Sequence, residues 1–399
     1  MDVDLQQLLT SAAEVGAKHR DTVGSRPVQP SPDRDALASA FGVGAELQAG
    51  PTRPEEVVRQ LVEAARPGLM GTVGPRFFGF VIGGSSPAAT AADILATGWD
   101  QCAYNEVLSP AAAAAERAAG GWSKQLLGLP ASASVGFVTG AQAANTVGLA
   151  VGRHRALADA GWDVERDGLF GAPRVAIVAS EERHATIDRA ARLLGFGTSA
   201  IHPVPATSQG AVDVEALGRT LDTLAGAPVI VCLQAGNVNT GACDDLRRAV
   251  PLAHRSGAWV HVDGAFGLWA AASPHTAHLL DGVEAADSWG TDAHKWLNVP
   301  YDSGLAFCAD AALQPPRCRM PRPTSPGRVR ARTSCSVTSP PNPPVGQGDS
   351  RSGRRCVSSA ETASPTSSTG RAPSHAGWRR GSRPAARPST TRSCSTSSS

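Results

Sequence analysis

Trp259-Val260-His261-Val262-Asp263-Gly264-Ala265-Phe266 is the stretch that decides how the chain folds. An apolar, β-branched run that stops on an acid and turns on a glycine reads as a short buried strand, Trp259–Val262, followed by a loop. Outward from it lie further short apolar runs, and the predicted strands are Arg174–Ala179, Ala200–Val204, Val229–Leu233 and Gly304–Cys308. Between and before them fall amphipathic stretches that predict helices over Thr139–Ala160, His184–Leu194, Val214–Leu224 and Leu246–Arg255. This alternation, from Ala133 to Ala309, is the pattern of βαβ units. The expected class is therefore α/β: a doubly wound, mainly parallel sheet with helices on both faces. Ligands approach such sheets at the carboxyl ends of the strands, which makes Asp263 the first place to look for chemistry.

The flanks read differently. Residues 1–75 predict an N-terminal arm, with a helix over Leu5–Lys18, a Pro/Gly-rich connection through Pro27, Pro30 and Pro32, and a helix over Pro54–Ala65 opened by Thr52 and Pro54. Residues 76–312 form the predicted large domain. After Leu313 no Leu, Ile, Phe or Tyr occurs, and Arg, Ser, Pro, Thr and Gly dominate. Residues 313–399 are too poor in apolar side chains to offset chain entropy, so a disordered tail is expected. A reading frame that slips near residue 312 accounts for the abrupt change better than a dedicated polyanion-binding tail, because regular repeats and interleaved aromatics are missing.

Composition narrows the function classes. The 399 residues carry a formal net charge of +2, which argues for neither a specific nucleic acid nor an anionic membrane as partner. No apolar run approaches the roughly 18 residues of a membrane span, and residues 1–20 lack a signal-type segment, so the expected location is cytoplasmic. The eight cysteines have no metal-ligand spacing, and no metal site is expected. His275 and His278 lack the i, i+4 spacing of a zinc helix. The Gly83-Gly84 loop is an incomplete dinucleotide fingerprint.

Four segments carry candidate chemistry. In Ala286-Asp287-Ser288-Trp289-Gly290-Thr291-Asp292-Ala293-His294-Lys295-Trp296, Lys295 ends a strand-like run, where burial favours the neutral amine that Schiff-base chemistry requires. Asp263, just past its strand, is placed to keep a heteroaromatic nitrogen protonated. Phe137-Val138-Thr139-Gly140-Ala141-Gln142-Ala143-Ala144-Asn145 runs from a strand into a long helix, whose small first residues leave N–H groups free for a phosphate. His184, after Ala179-Ser180-Glu181-Glu182-Arg183, offers a flat ring at a strand end. Taken singly, each has a plainer reading: a surface lysine, a turn-capping acid, a routine strand-to-helix turn, a helix-start histidine.

Taken in order, these segments resemble the group II pyridoxal-phosphate (PLP) dependent decarboxylases, which include the aromatic-amino-acid, tyrosine and glutamate decarboxylases. The likeness runs from about Arg76 to Ala309 and takes in Phe77-Phe78-Gly79-Phe80 and the Glu106–Arg117 stretch. It implies the PLP-dependent transferase fold type I and decarboxylation of an L-amino acid. By position, Lys295 holds the cofactor through a Schiff base, Asp263 pairs with the ring nitrogen, His184 stacks on the ring and Ala265 lies under it. Gly140, Ala141, Gln142, Ser288 and His294 take the phosphate side, with Asn239 a further cofactor contact. The resemblance also implies a homodimer with sites shared between subunits.

Two departures accompany it. The phosphate turn carries Ala141-Gln142 where small hydroxyl residues are frequent, and the segment Ala235–Gly241 replaces a Thr-rich one. The family's C-terminal small domain, with its mobile loop and catalytic tyrosine, has no counterpart, which implies impaired activity for the chain as written. Rival readings are another fold type I PLP enzyme, an aminotransferase or a carbon–carbon or carbon–sulfur lyase, and a non-catalytic product with a basic tail. Phe77, Phe80, Trp99 and Tyr104 are candidate linings of an aromatic pocket, and ordinary apolar packing is their plainer role.

Overall fold

The computed structural model describes residues 3–311, so the predicted tail and the question of a C-terminal domain lie outside the described residues. The described helices are α1 (Leu5–Thr22), α2 (Arg34–Ala40), α3 (Pro54–Ala65), α4 (Pro87–Trp99), α5 (Pro110–Leu126), α6 (Ala141–Asp159), α7 (Val164–Asp167), α8 (Ala185–Leu193), α9 (Val214–Thr223) and α10 (Leu246–Arg255). The strands are β1 (Ser134–Val138), β2 (Ala176–Ser180), β3 (Ile201–Val204), β4 (Val229–Gln234), β5 (Trp259–Asp263), β6 (Ser288–Asp292) and β7 (Gly304–Cys308). They form one sheet in the order β1-β7-β6-β5-β4-β2-β3. From β6 to β3 the pairing is parallel, and β7 runs antiparallel to both β6 and β1.

Strands β2, β4, β5, β6 and β7 are buried along their whole length, as strands covered on both faces must be. Alternation splits them between two cores. Ile177, Ile230 and Trp259 pack with Leu149 and Leu157 of α6 and Ile187 of α8. Val178, Val231 and Val260 pack with Leu217 and Leu221 of α9 and Leu246 and Val250 of α10. The expected helices on both faces are thus present; their predicted ends and those of the strands fall within two residues, while the first helix runs four residues past the predicted Lys18.

Local chemistry explains most helix starts. Asp4, Asp33, Ser86, Ser109, Asp163, Asp213 and Asp245 each accept a hydrogen bond from a first-turn N–H. The expected cap at Thr52 is a correction: Arg53 holds the cap position of α3 without a side-chain bond, and Pro54 at the first turn does the pre-organising. The arm is tied down by Arg20, whose guanidinium donates to Ser85 Oγ at 2.6 Å and to Thr90 Oγ1 at 3.1 Å. Among the described residues no helix is long and apolar enough to cross a membrane, and no side-chain cluster has the make-up of a metal centre.

Candidate active site

The carboxyl ends of β4, β5 and β6 and the turn from β1 into α6 converge on a cavity of about 320 Å³. Its floor and one wall come from Asp263, Ala265 and Phe266, and Lys295 and His294 enter from the turn after β6. Gly140, Ala141 and Gln142 line it from the start of α6, and His184 from the start of α8. Eight of the ten predicted site residues therefore meet around one cavity.

Ser288 and Asn239 are not among its lining. Ser288 begins β6, at the opposite end of the strand from Asp292, and its hydroxyl is fully buried against Trp259 Nε1 and His261 Nδ1, both at 3.0 Å. Asn239 is exposed on a turn that Asn237 closes by accepting from the Asn239 N–H at 2.9 Å, and the neighbouring Val238 reaches the cavity instead. Phe77, Phe80, Trp99 and Tyr104 stay off the cavity as well, and Phe80 is 84% exposed.

Asp263 is buried at the end of β5. Its Oδ2 accepts from Asn145 Nδ2 at 2.9 Å, and its Oδ1 from the Ala265 N–H at 3.2 Å. Burial pushes its carboxyl above the usual carboxylate range, against the opposing pull of Asn145, His184, the Ala265 N–H and Lys295.

The Lys295 ammonium sits 2.9 Å from Asp292 Oδ2. Asp292 also accepts from the Ala141 N–H and lies 3.4 Å from His294 Nε2. His294 Nδ1 accepts from the Ser303 N–H at 3.0 Å, which leaves the proton on Nε2, facing Asp292. The imidazole stacks on Tyr301, centroids 4.0 Å apart, and burial lowers its pKa. Burial likewise raises that of Tyr301.

Backbone approach at the turn requires glycine twice. Gly140 has φ 153°, and a Cβ there would stand 3.0 Å from His294 Cε1 and 3.1 Å from Asp292 Oδ1. A Cβ on Gly304 would stand 2.6 Å from Gly140 Cα. His184 caps α8, its Nδ1 3.1 Å from Thr186 Oγ1, with the ring exposed toward the cavity that it lines.

PLP fits these residues. A buried acid, an amine, a histidine ring and the glycine start of a long helix line one cavity of ligand size. Reading the chain alone overlooked Asp292, Thr186 and Tyr301 as lining residues. Asp292 stood in the quoted motif three positions before Lys295, a signal that was visible, whereas Tyr301 reaches the cavity through a turn that no periodicity marks.

This sheet, with a lysine and an acid at neighbouring strand ends, defines a fold type I PLP protein. The profile of the pyridoxal-dependent decarboxylase conserved domain matches residues 43–316, and the chain belongs to that family. It is similar to the aromatic-L-amino-acid decarboxylase of Bacillus atrophaeus, 29% identical over 307 residues, covering 76% of this chain and 61% of the relative. Tryptophan decarboxylase 1 of Oryza sativa subsp. japonica is 31% identical, covering 77% of this chain and 62% of the relative. Among solved structures, Oryza sativa TDC with PLP and tryptamine superposes with a TM-score of 0.72 at 28% identity, covering 84% of this chain and 69% of that one. The chain thus spans about three fifths of the length of these curated relatives.

Proposed function

We propose that the protein decarboxylates an L-amino acid, with Lys295 as the residue that holds PLP. The observation that carries this reading is that Lys295, Asp263 and His184 line one cavity with the open start of α6. Bound PLP supplies an electron sink for the pair left behind when the Cα–carboxylate bond breaks. The chain's own residues then have separable tasks. Asp263 holds a proton on the ring nitrogen, so that negative charge develops opposite a fixed cation. His184 would cover one face of the ring, and Ala265, with no bulk beyond Cβ, would leave room at the other. Gly140, Ala141 and Gln142 at the start of α6, with His294, would take the phosphate side. Lys295 is held at the cavity by its contact with Asp292, 2.9 Å away.

Ser288 serves this site from behind β6, and Asn239 through the turn that presents Val238. We read residues 76–312 as the cofactor-binding domain and residues 1–75 as an arm. A cytoplasmic homodimer is the working form. The dimer is supported by α4, an apolar helix without a buried side chain, on which Ile94, Leu95 and Trp99 are each at least half exposed.

The test is carbon dioxide release by the PLP-loaded full chain from a panel of L-amino acids that includes tryptophan, tyrosine, phenylalanine, aspartate and cysteine sulfinate. Release from one or more of them, abolished in Lys295→Ala, is expected. Amino-group exchange or side-chain elimination without carbon dioxide would overturn the proposal.

A further inference from the structure

We infer that Trp259, Ser288, His261 and Asn145 form a one-way hydrogen-bond chain that keeps the Asp263 carboxylate ionised and aimed, which makes His261 and Asn145 positioning residues for the reaction proposed above. The links are Trp259 Nε1 to Ser288 Oγ at 3.0 Å, Ser288 Oγ to His261 Nδ1 at 3.0 Å, His261 Nε2 to Asn145 Oδ1 at 3.0 Å and Asn145 Nδ2 to Asp263 Oδ2 at 2.9 Å. All five residues are buried.

The polarity follows from what each group is able to donate. An indole N–H only donates, so Ser288 Oγ accepts there, and His261 Nδ1 is the acceptor within reach for its own buried proton. His261 is then a neutral imidazole with its proton on Nε2, directed at Asn145 Oδ1. This forces the Asn145 amide to turn its N–H groups toward Asp263 Oδ2 and, at 3.0 Å, Thr186 Oγ1. Burial supports the neutral ring by driving the His261 pKa down to about 3. A protonated Asp263 that donated back toward Asn145 would reverse the links as far as His261, and Ser288 Oγ, accepting from both Trp259 and His261, would leave its own buried proton without an acceptor in the chain. The fixed indole donor at one end thus favours an acceptor, the ionised carboxylate, at the other.

Sequence and packing are built around this chain. Trp259, His261 and Asp263 alternate along one face of β5, under α6. A Cβ on Gly148 of α6 would stand 2.3 Å from His261 Nδ1, one on Gly152 would stand 2.7 Å from Trp259 Cδ1, and one on Gly290 of β6 would stand 2.7 Å from Asn145 Oδ1. Three glycines clear the space that three polar side chains fill.

The test uses the cofactor-free full chain labelled with 15N-histidine, with the His261 signals assigned by their loss in His261→Gln. A neutral ring protonated on Nε2 is expected; a proton on Nδ1, or on both nitrogens near neutral pH, would overturn the inference. A second measurement is PLP affinity, followed through the visible absorption of the bound cofactor. Gln is able to reproduce the donor at Nε2, and Asn only the acceptor at Nδ1. His261→Gln is therefore expected to stay near the wild-type affinity, and His261→Asn and Asn145→Ala to lose about tenfold or more, the worth of a hydrogen bond to a charged group. Equal losses in the Gln and Asn variants would mean packing alone. If the wild type binds no PLP, the proposed activity falls, and the tautomer measurement still decides the polarity by itself.

Discussion

A carboxylate taken out of water must be compensated by donors or by a cation, and Asp263 has donors in Asn145 and the Ala265 N–H yet remains raised by burial. Its pull on a protonated ring nitrogen is correspondingly strong. Breaking a buried charged pair from one side costs about 3–5 kcal/mol, so Asp263→Asn is expected to lower carbon dioxide release more than about a hundredfold while circular dichroism stays that of the wild type. A near-normal rate would contradict the assigned role. His261 adds a pH signature. Its folded pKa of about 3 lies below the ordinary 6.5 of a free imidazole, so the stability tied to the neutral ring is present above 6.5 and drains as pH falls toward about 3. Asp263 is shifted the other way and gains relative stability with acid, so the His261 part is read as the difference from His261→Gln. The wild type is expected to lose its denaturation midpoint more steeply than this variant below pH 6.5, and parallel curves would contradict it.

Helix α6 is the element that joins fold to site: its first residues line the cavity, Asn145 one turn later holds Asp263, and Gly148 and Gly152 admit β5 side chains beneath it. Exchanging a helical glycine for alanine ordinarily stabilises by about 0.5–1 kcal/mol. At Gly148 the added methyl meets the His261 ring, so Gly148→Ala is expected to destabilise by about 1–3 kcal/mol in denaturant titration, whereas Gly16→Ala, with open space around it in α1, is expected to be neutral or stabilising. Strands β2, β4 and β5 were legible in the chain because they are buried on both faces and read as short, mostly apolar β-branched runs. Asp263, His184, Gly140 and Lys295 were legible because each ends a strand or opens a helix. What escaped depends on tertiary register. Nothing along the chain says that His261 lies opposite Ser288 on β6, or that Val238 rather than Asn239 turns toward the cavity. In α3, Val57 and Leu61 are 49% and 55% exposed.

At the scale of the whole molecule, α4 and the segment before it leave large apolar side chains uncovered: Phe78 is 92% exposed, Trp99 64% and Leu95 50%. A second copy of the chain is the proposed cover. Replacing both Leu95 and Trp99 by aspartate is expected to shift the protein from dimer to monomer in sedimentation velocity, and an unchanged dimer would place the interface elsewhere. The central claim is that one amine, Lys295, carries the cofactor within the cavity that Asp263 closes. Its most direct test is to load the full chain with PLP, reduce with borohydride, digest and locate the pyridoxyl group by mass spectrometry. The account predicts a single modified residue, Lys295, and no modification in Lys295→Ala; a pyridoxyl group on Lys18 or Lys124, or none on the wild type, would contradict it.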